Sequence, residues 1–209
     1  MSQVIIVANG DISSTLELQI NPGDFLVGVD AGALYLLKHY YCDLAIGDFD
    51  SVTKKQLDQI KNYAKEIKIY SSDKDFTDTE LALEEVVRRG FKNIVIIGAI
   101  GTRMDHTLGN LFLLEKFLEE GIKIKIIDEH NEIEILNNQI TVPPDKDFKY
   151  ISFISLTETV ILTLSRFKYP LKNHLVKRGQ TLCLSNEFLD KKAKILVKDG
   201  KVLMIKSRD

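Results

Sequence analysis

Six short apolar runs, separated by segments of helical periodicity, constrain what the first 128 residues can become. The runs are Val4–Ala8, Phe25–Val29, Leu44–Ile46, Ile67–Tyr70, Ile94–Gly98 and Ile122–Asp128. They are rich in β-branched residues and nearly continuous in hydrophobicity, as strands covered on both faces are. The intervening segments predict helices over Ala31–Tyr40, Lys54–Lys65, Thr77–Arg89 and His106–Glu120. The third opens on Thr77 and Glu80, a T-x-x-E capping box, and closes at Gly90; the fourth stops at Gly121. Strands alternating with helices predict a parallel sheet with right-handed crossovers, a Rossmann-like α/β domain over residues 1–128.

After Asp128 the pattern changes. Strand-like runs follow one another over Glu132–Leu136, Gln139–Val142, Tyr150–Ser155, Thr159–Leu164, Gln180–Leu184, Lys194–Val197 and Val202–Ile205, and no helical segment stands out. Pro143-Pro144 marks a turn, and Asp199-Gly200 between the last two runs predicts a hairpin. Residues 129–209 therefore read as a small all-β domain, a sandwich or a barrel.

Composition excludes several function classes. Acidic residues number 30 against 28 basic ones, a net charge of −2, so the basic surplus of a nucleic-acid binder is missing. Cys42 and Cys183 form no CxxC pair, which removes a zinc site or redox dithiol from consideration. No apolar run approaches the roughly 18–20 residues of a membrane span, and the N-terminus lacks the features of a signal peptide. The expectation is a cytoplasmic protein with no membrane and no nucleic-acid partner.

The chemistry collects at the ends of the predicted strands. Asp30-Ala31-Gly32-Ala33 follows the second, Gly47-Asp48-Phe49-Asp50-Ser51 the third, Asp73-Lys74-Asp75-Phe76-Thr77-Asp78 the fourth, and Gly98 to His106 the fifth. In a parallel sheet these positions share the carboxyl edge, where open α/β sheets bind ligands. Asp48, Asp50, Asp73, Asp75, Asp78 and Asp105 would crowd one cleft, and such a cluster is costly without a cation. Mg²⁺, which takes a few carboxylates and leaves other positions to phosphate oxygens, suits it. Asp48 and Asp50, two apart, would face the same way if extended. Gly98 and Gly101 allow close backbone approach to a ligand, Arg103 can grip phosphate oxygens, and the helix start beyond offers free N–H groups. No P-loop and no G-x-G-x-x-G occurs. His106 reads as a site-lining residue, and Asn110, one turn on, shares its face. In the β-domain, Ser185-Asn186-Glu187 and Phe167 to Leu171 stand out as turn and aromatic segments.

Taken in order, D-x-G-A, GDFDS, D-x-D-x-T-D, G-x-x-G-x-R-x-D-H-x-x-x-N and a late SNE resemble the thiamine pyrophosphokinase family, over nearly the whole chain. The resemblance implies an α/β domain and a β-sandwich domain, and transfer of the β,γ-diphosphate of ATP to the hydroxyl of thiamine with release of AMP. It implies homodimers with active sites shared between subunits. It makes Asp48, Asp50 and Asp78 ligands of Mg²⁺, and these with Arg103 and Asp105 the catalytic set. Asp30, Asp75, Thr77, Arg103 and Asp105 would line the nucleotide and diphosphate site, where Gly32, Gly101, His106 and Asn110 also belong. Residues 1–128 would bind ATP and Mg²⁺, and 129–209 would bind thiamine and dimerise. Ser185 and Asn186 would touch thiamine. Tyr169 falls where some relatives carry a Trp, and this chain has none, so Tyr169 or Phe188 would supply the ring that stacks on thiamine.

Two other readings compete. Asp48-Phe49-Asp50-Ser51-Val52 approximates the motif of Mg-dependent phosphoaspartyl hydrolases, although that family places its nucleophile after the first strand. A non-catalytic nucleotide or thiamine sensor on the same fold is the other.

Overall fold

The computed structural model describes residues 3–10, 12, 20–73, 75–189 and 191–209. The chain divides into two compact units, Met1–Glu129 and His130–Asp209. No helix among the described residues is long and apolar enough to cross a membrane.

Among the described residues of the first unit, six parallel strands alternate with four helices. They are β1 (Val4–Val7), β2 (Phe25–Val29), α1 (Gly32–His39), β3 (Leu44–Gly47), α2 (Lys54–Tyr63), β4 (Ile67–Ile69), α3 (Asp78–Arg88), β5 (Asn93–Ile97), α4 (Met104–Glu119) and β6 (Lys123–Ile127). The strands lie in the order β6-β5-β1-β2-β3-β4. β1 sits between β2 and β5 and pairs with both in parallel, Val4 against Phe25 and against Ile94. Successive strands run outward from β1 to β4, and then β5 crosses to the other side of β1. The order therefore reverses between β1 and β5, the switch point at which open sheets leave a crevice. The expectation of helices on a parallel sheet is met; the strand order differs from the 3-2-1-4-5-6 of the dinucleotide-binding fold.

Alternation along the strands explains the two-sided burial. Ile5, Val7, Leu26, Ala45, Val95 and Ile97 pack with Ala33 and Leu36 of α1 and Ile60 of α2. Their neighbours in sequence, Val4, Ile6, Val27, Ile94 and Ile96, point to the opposite face and are equally buried. Helices α3 and α4 contact each other and the strands β2, β3 and β6.

The edge strand β4 is fastened by charge. Glu85 of α3, itself buried, accepts from Arg88 at 2.7 Å and Arg89 at 2.7 Å, and pairs with Lys68 of β4 at 2.9 Å. The Arg88 hydrogen bonds, with those of Lys68 and Arg89, overcome burial and hold the Glu85 carboxyl down at about 2, against an ordinary value of 4.5. A depressed carboxylate stabilises the fold above its unfolded value, and that stabilisation is lost as pH falls through the folded one. Glu85→Gln should therefore cost on the order of 2 kcal/mol at neutral pH. The gap to the unaltered chain should close between about pH 4.5 and 2 in urea unfolding.

The second unit holds β7 (Asn131–Leu136), β8 (Gln139–Val142), β9 (Tyr150–Ser155), β10 (Thr159–Ser165), β11 (Leu171–Lys177), β12 (Asn186–Glu187), β13 (Ala193–Lys198) and β14 (Val202–Ser207). One antiparallel layer runs β12-β9-β14-β7 and the other β11-β10-β13-β8. Both contribute to a single core, with Leu136, Ile151, Phe153, Val202 and Met204 from the first layer and Val160, Leu162, Leu164, Val176, Ile195 and Val197 from the second. This is a sandwich rather than a barrel.

Four local expectations change. Gln180–Leu184 is not a strand: Gly179 adopts φ +85°, and the chain turns twice, Gln180 N–H to Lys177 C=O and Leu184 N–H to Thr181 C=O. Leu171–Lys177 is a strand that alternation does not reveal, because this edge strand leaves Lys172, Asn173, His174 and Leu175 exposed. Asp199-Gly200 does not close a hairpin. β13 pairs with β10 and β8 while β14 pairs with β7 and β9, so the turn carries the chain from one layer to the other. The Thr77 cap is half a capping box. Its hydroxyl accepts Glu80 N–H, whereas the Glu80 carboxylate goes to Lys116 at 3.0 Å. A reciprocal box does form at Thr53 and Gln56, at the start of α2.

Candidate active site

A cavity of about 680 Å³ opens in the first unit at the carboxyl edge of the sheet. Its wall includes Ala8, Asn9 and Gly10 after β1, Asp30 after β2, Asp48 and Asp50 after β3, Thr77 and Asp78 at the start of α3, and Gly98 to Arg103 after β5. The β1/β5 reversal thus lies in its wall.

The turn after β3 is built by a chain of contacts from Asp30. Asp30 itself lies at φ +48°, and its N–H donates to Ile46 C=O at 3.0 Å. Its carboxylate accepts the N–H of Phe49 at 3.0 Å, which holds Phe49 at φ +59° with its ring buried. The side chain fits because residue 47 is glycine at φ +150°; a Cβ there would lie 1.9 Å from Asp30 Oδ1. Asp48 then accepts the N–H of Asp50 at 3.1 Å. The left-handed residue at 49 means that Asp48 and Asp50 do not follow the extended geometry expected of them. Asp48 is half-buried and Asp50 exposed.

Carboxylate oxygens of Asp30, Asp48 and Asp78 lie within 4.8 Å of one another, and all three side chains are half-buried. Three hard oxygen donors at that separation fit a small divalent cation. The geometric set shares Asp48 and Asp78 with the sequence expectation and has Asp30 where that expectation has Asp50, which lines the same cavity. The predicted convergence of six aspartates is not what forms. Asp73, Asp75 and Asp105 are exposed and lie outside the cavity wall, and residue 74 lies outside the described residues.

The wall after β5 is held from α4. Gly98 turns the chain at φ +70°, and its carbonyl accepts Gly10 N–H at 2.8 Å. The buried Asn110 donates its amide to Ala99 C=O at 2.7 Å, and Gly101 N–H donates to the buried Thr107 hydroxyl at 3.3 Å. Helix α4 begins at Met104, two residues earlier than expected, with Arg103 as its N-cap. Arg103 donates to Asp105 at 2.6 Å, both side chains being exposed. That guanidinium holds the Asp105 carboxyl below its usual range. Arg103 and His106 line the cavity, whereas Asp105 acts as the tether of Arg103. Gly32 is not in the wall. It lets α1 approach β1, since a Cβ there would meet Val7 C=O at 2.0 Å.

Sequence reasoning missed Asn9 and Gly10. The signal was present as an Asn-Gly pair at the end of the first strand, which a parallel sheet brings to the same edge as the other motifs.

In the second unit, Ser185 stands at φ +53° and its N–H donates to the Ser152 hydroxyl at 3.0 Å. Tyr169 is exposed, while Asn186 is buried beneath it and bonded to its backbone.

Against known proteins, residues 16–126 match the catalytic domain of thiamin pyrophosphokinase, and residues 137–202 match the vitamin B1 binding domain of the same enzyme. The chain is 38% identical over 186 residues to the thiamine pyrophosphokinase of Bacillus subtilis, covering 88% of this chain and 87% of that protein. A crystal structure of thiamine pyrophosphokinase from Bacillus subtilis superposes with a TM-score of 0.92 at 35% identity, covering 100% of both chains. One from Geobacillus thermodenitrificans gives 0.89 at 34% identity, covering 99% of this chain and 97% of that one. With both domain models matched in order along one chain, and relatives of this identity covered nearly end to end, the chain belongs to the thiamin pyrophosphokinase family.

Proposed function

We propose that the chain moves the β,γ-diphosphate of ATP to the hydroxyl of thiamine, yielding thiamine diphosphate and AMP. It is a thiamine diphosphotransferase by family. The observation that carries the reading further is the half-buried Asp30, Asp48 and Asp78 cluster in a cavity that also presents Arg103. A phosphoaspartyl hydrolase is not favoured, since Asp48 follows the third strand and both units match one other family. Nothing favours a non-catalytic sensor.

Asp48 and Asp78, with Asp30 or Asp50, would hold Mg²⁺. When bound, the ion neutralises polyphosphate charge and stabilises developing negative charge on the leaving oxygen. The chain's own groups supply positioning, on which transfers of this type mainly depend. Arg103, oriented by Asp105, donates to phosphate oxygens. Thr77 and the loop from Gly98 to Gly101, pinned by Asn110 and Thr107, shape the wall against which the nucleotide lies. His106 closes the wall at the start of α4, and Gly32, outside the wall, lets α1 approach the end of β1. A carboxylate of the cluster accepts the hydroxyl proton of thiamine.

The β unit takes thiamine, with Ser185 and Tyr169 at its surface. The working form is a cytoplasmic homodimer with sites shared between subunits. Charge supports the dimer: Met1–Glu129 carries 14 basic and 21 acidic residues, and His130–Asp209 carries 14 and 9. Units of opposite sign on two copies attract.

The test is product analysis. With ATP, thiamine and Mg²⁺, the chain should form AMP and thiamine diphosphate in equal amounts by chromatography. ADP with thiamine monophosphate, or intact ATP, would refute the reading.

A further inference from the structure

Helices α3 and α4 each bring part of the site on their opening residues. Asp78 begins α3, and Arg103 is the N-cap of α4. A lysine ties the two helices together. Lys116, in the last turn of α4, donates to Glu80 at 3.0 Å and to Glu84 at 2.5 Å, both on the first two turns of α3. Helical side chains lean toward the start of their own helix, so a long one at the end of α4 can reach back toward the start of its neighbour.

Glu80 and Glu84 stand four apart on one helix face, where like charges repel. The ammonium between them turns that repulsion into a clamp. The two carboxylates, Glu84 ahead of Glu80, hold the Lys116 ammonium above its ordinary value. The same ammonium lies 6.0 Å from the ring centroid of Phe76, two residues before Asp78, and 5.1 Å from that of Phe117. Lys116 thus holds both the approach to Asp78 and the turns that follow it.

The clamp also decides where Glu80 goes. A Glu in that position of a capping box reaches back to the N-cap N–H. Here it goes to Lys116, and the cap keeps only the Thr77 hydroxyl on Glu80 N–H at 3.2 Å. A carboxylate swung back onto Thr77 would add negative charge beside Asp78, and both of those residues line the cavity. Lys116 itself lies outside the cavity wall.

We propose that Lys116 is a positioning residue for the metal site, which fixes Asp78 within the carboxylate cluster by clamping the start of α3 to α4. This rests on the reading that Asp78 ligates a divalent cation. Groups behind a ligand set its orientation and hence the affinity of the site. Charge and position pull in opposite directions here. Removing a cation near an acidic cluster tightens a divalent ion by Coulomb attraction alone, whereas loosening a ligand weakens it.

The experiment follows Mn²⁺ binding to the nucleotide-free chain by electron paramagnetic resonance, beside Tm and the Mg²⁺ concentration that half-saturates AMP release. Lys116→Met keeps the apolar stem and drops the charge. It should weaken Mn²⁺ roughly five-fold, raise half-saturating Mg²⁺ in step and leave KM for thiamine unchanged. Tm should fall by at most about 4 °C, since pairs this exposed add little to stability. Lys116→Arg, whose fork can bridge both carboxylates, should restore Mn²⁺ affinity. Tighter Mn²⁺ binding in Lys116→Met would show the field acting alone and would overturn the proposal. Unchanged binding, whatever happens to Tm, would do the same, as would an arginine variant no better than the methionine one. An unaltered chain that binds no Mn²⁺ would strike the metal reading itself, and this proposal with it, while AMP release still decides diphosphate transfer separately.

Discussion

Replacing Asp48 with asparagine should abolish diphosphate transfer, lowering kcat by about a thousand-fold or more, and leave the fold standing. The substitution is nearly isosteric, and its amide oxygen can go on accepting the N–H of Asp50, which Asp48 holds at 3.1 Å. The turn after β3 is also held from Asp30 through Phe49 N–H, a contact the substitution does not touch. What disappears is one negative charge of the three that lie within 4.8 Å of each other. Removing a charge from a repulsive cluster favours the folded state without cation, so Tm should be unchanged or slightly raised. Loss of activity with retained stability is the signature of a ligand rather than a structural residue. Steady-state AMP release across a Mg²⁺ titration, alongside thermal unfolding, checks it. Normal turnover in the variant would remove Asp48 from the metal site.

Gly47→Ala should produce the opposite signature, with stability and activity lost together. Residue 47 lies at φ +150°, where L side chains are strained, and its new Cβ would fall 1.9 Å from Asp30 Oδ1. Backbone strain of this kind costs about 1–3 kcal/mol, and displacing Asp30 adds the hydrogen bond to Phe49 N–H. A loss of about 3 kcal/mol corresponds to a fall in Tm of roughly 10 °C for a unit of this size. Activity should fall even below the new Tm, because Phe49 would no longer be held in the left-handed conformation that follows Asp48. Differential scanning calorimetry and AMP release on the same sample decide it. An alanine variant with unchanged Tm would show that the glycine is dispensable and that Asp30 does not shape this turn.

How much of this was readable in the residues depends on which physical signal each part emits. β1, β3 and most of β5 are buried on both faces, so Val4–Val7, Leu44–Gly47 and Ile94–Ile97 announce themselves as unbroken apolar runs. The edge strand β11 sends no such signal, since four consecutive residues of Leu171–Lys177 face solvent. Asp199-Gly200 gave a correct turn and a wrong partner, because a turn residue reports local backbone and not which layer the next strand joins. The site shows the same split. Motifs at strand ends located the cavity, as topology alone brings those ends together. Side-chain direction did not follow, because it depends on left-handed residues such as Asp30 and Phe49, which nothing in the spacing of GDFD discloses. Asp73 and Asp75, expected in the cleft, are exposed and lie outside its wall.

The central claim is that carboxylates carried to one edge by separate strands gather to hold a divalent cation beside the phosphate-binding wall. Anomalous diffraction from crystals grown with Mn²⁺ and a non-hydrolysable ATP analogue tests it directly. The account predicts a manganese peak in the cavity, bonded at about 2.1 Å to oxygens of Asp48 and Asp78 and to phosphate. A nucleotide-filled cavity with no metal on those residues, or a peak on Asp73 or Asp75 instead, would contradict it.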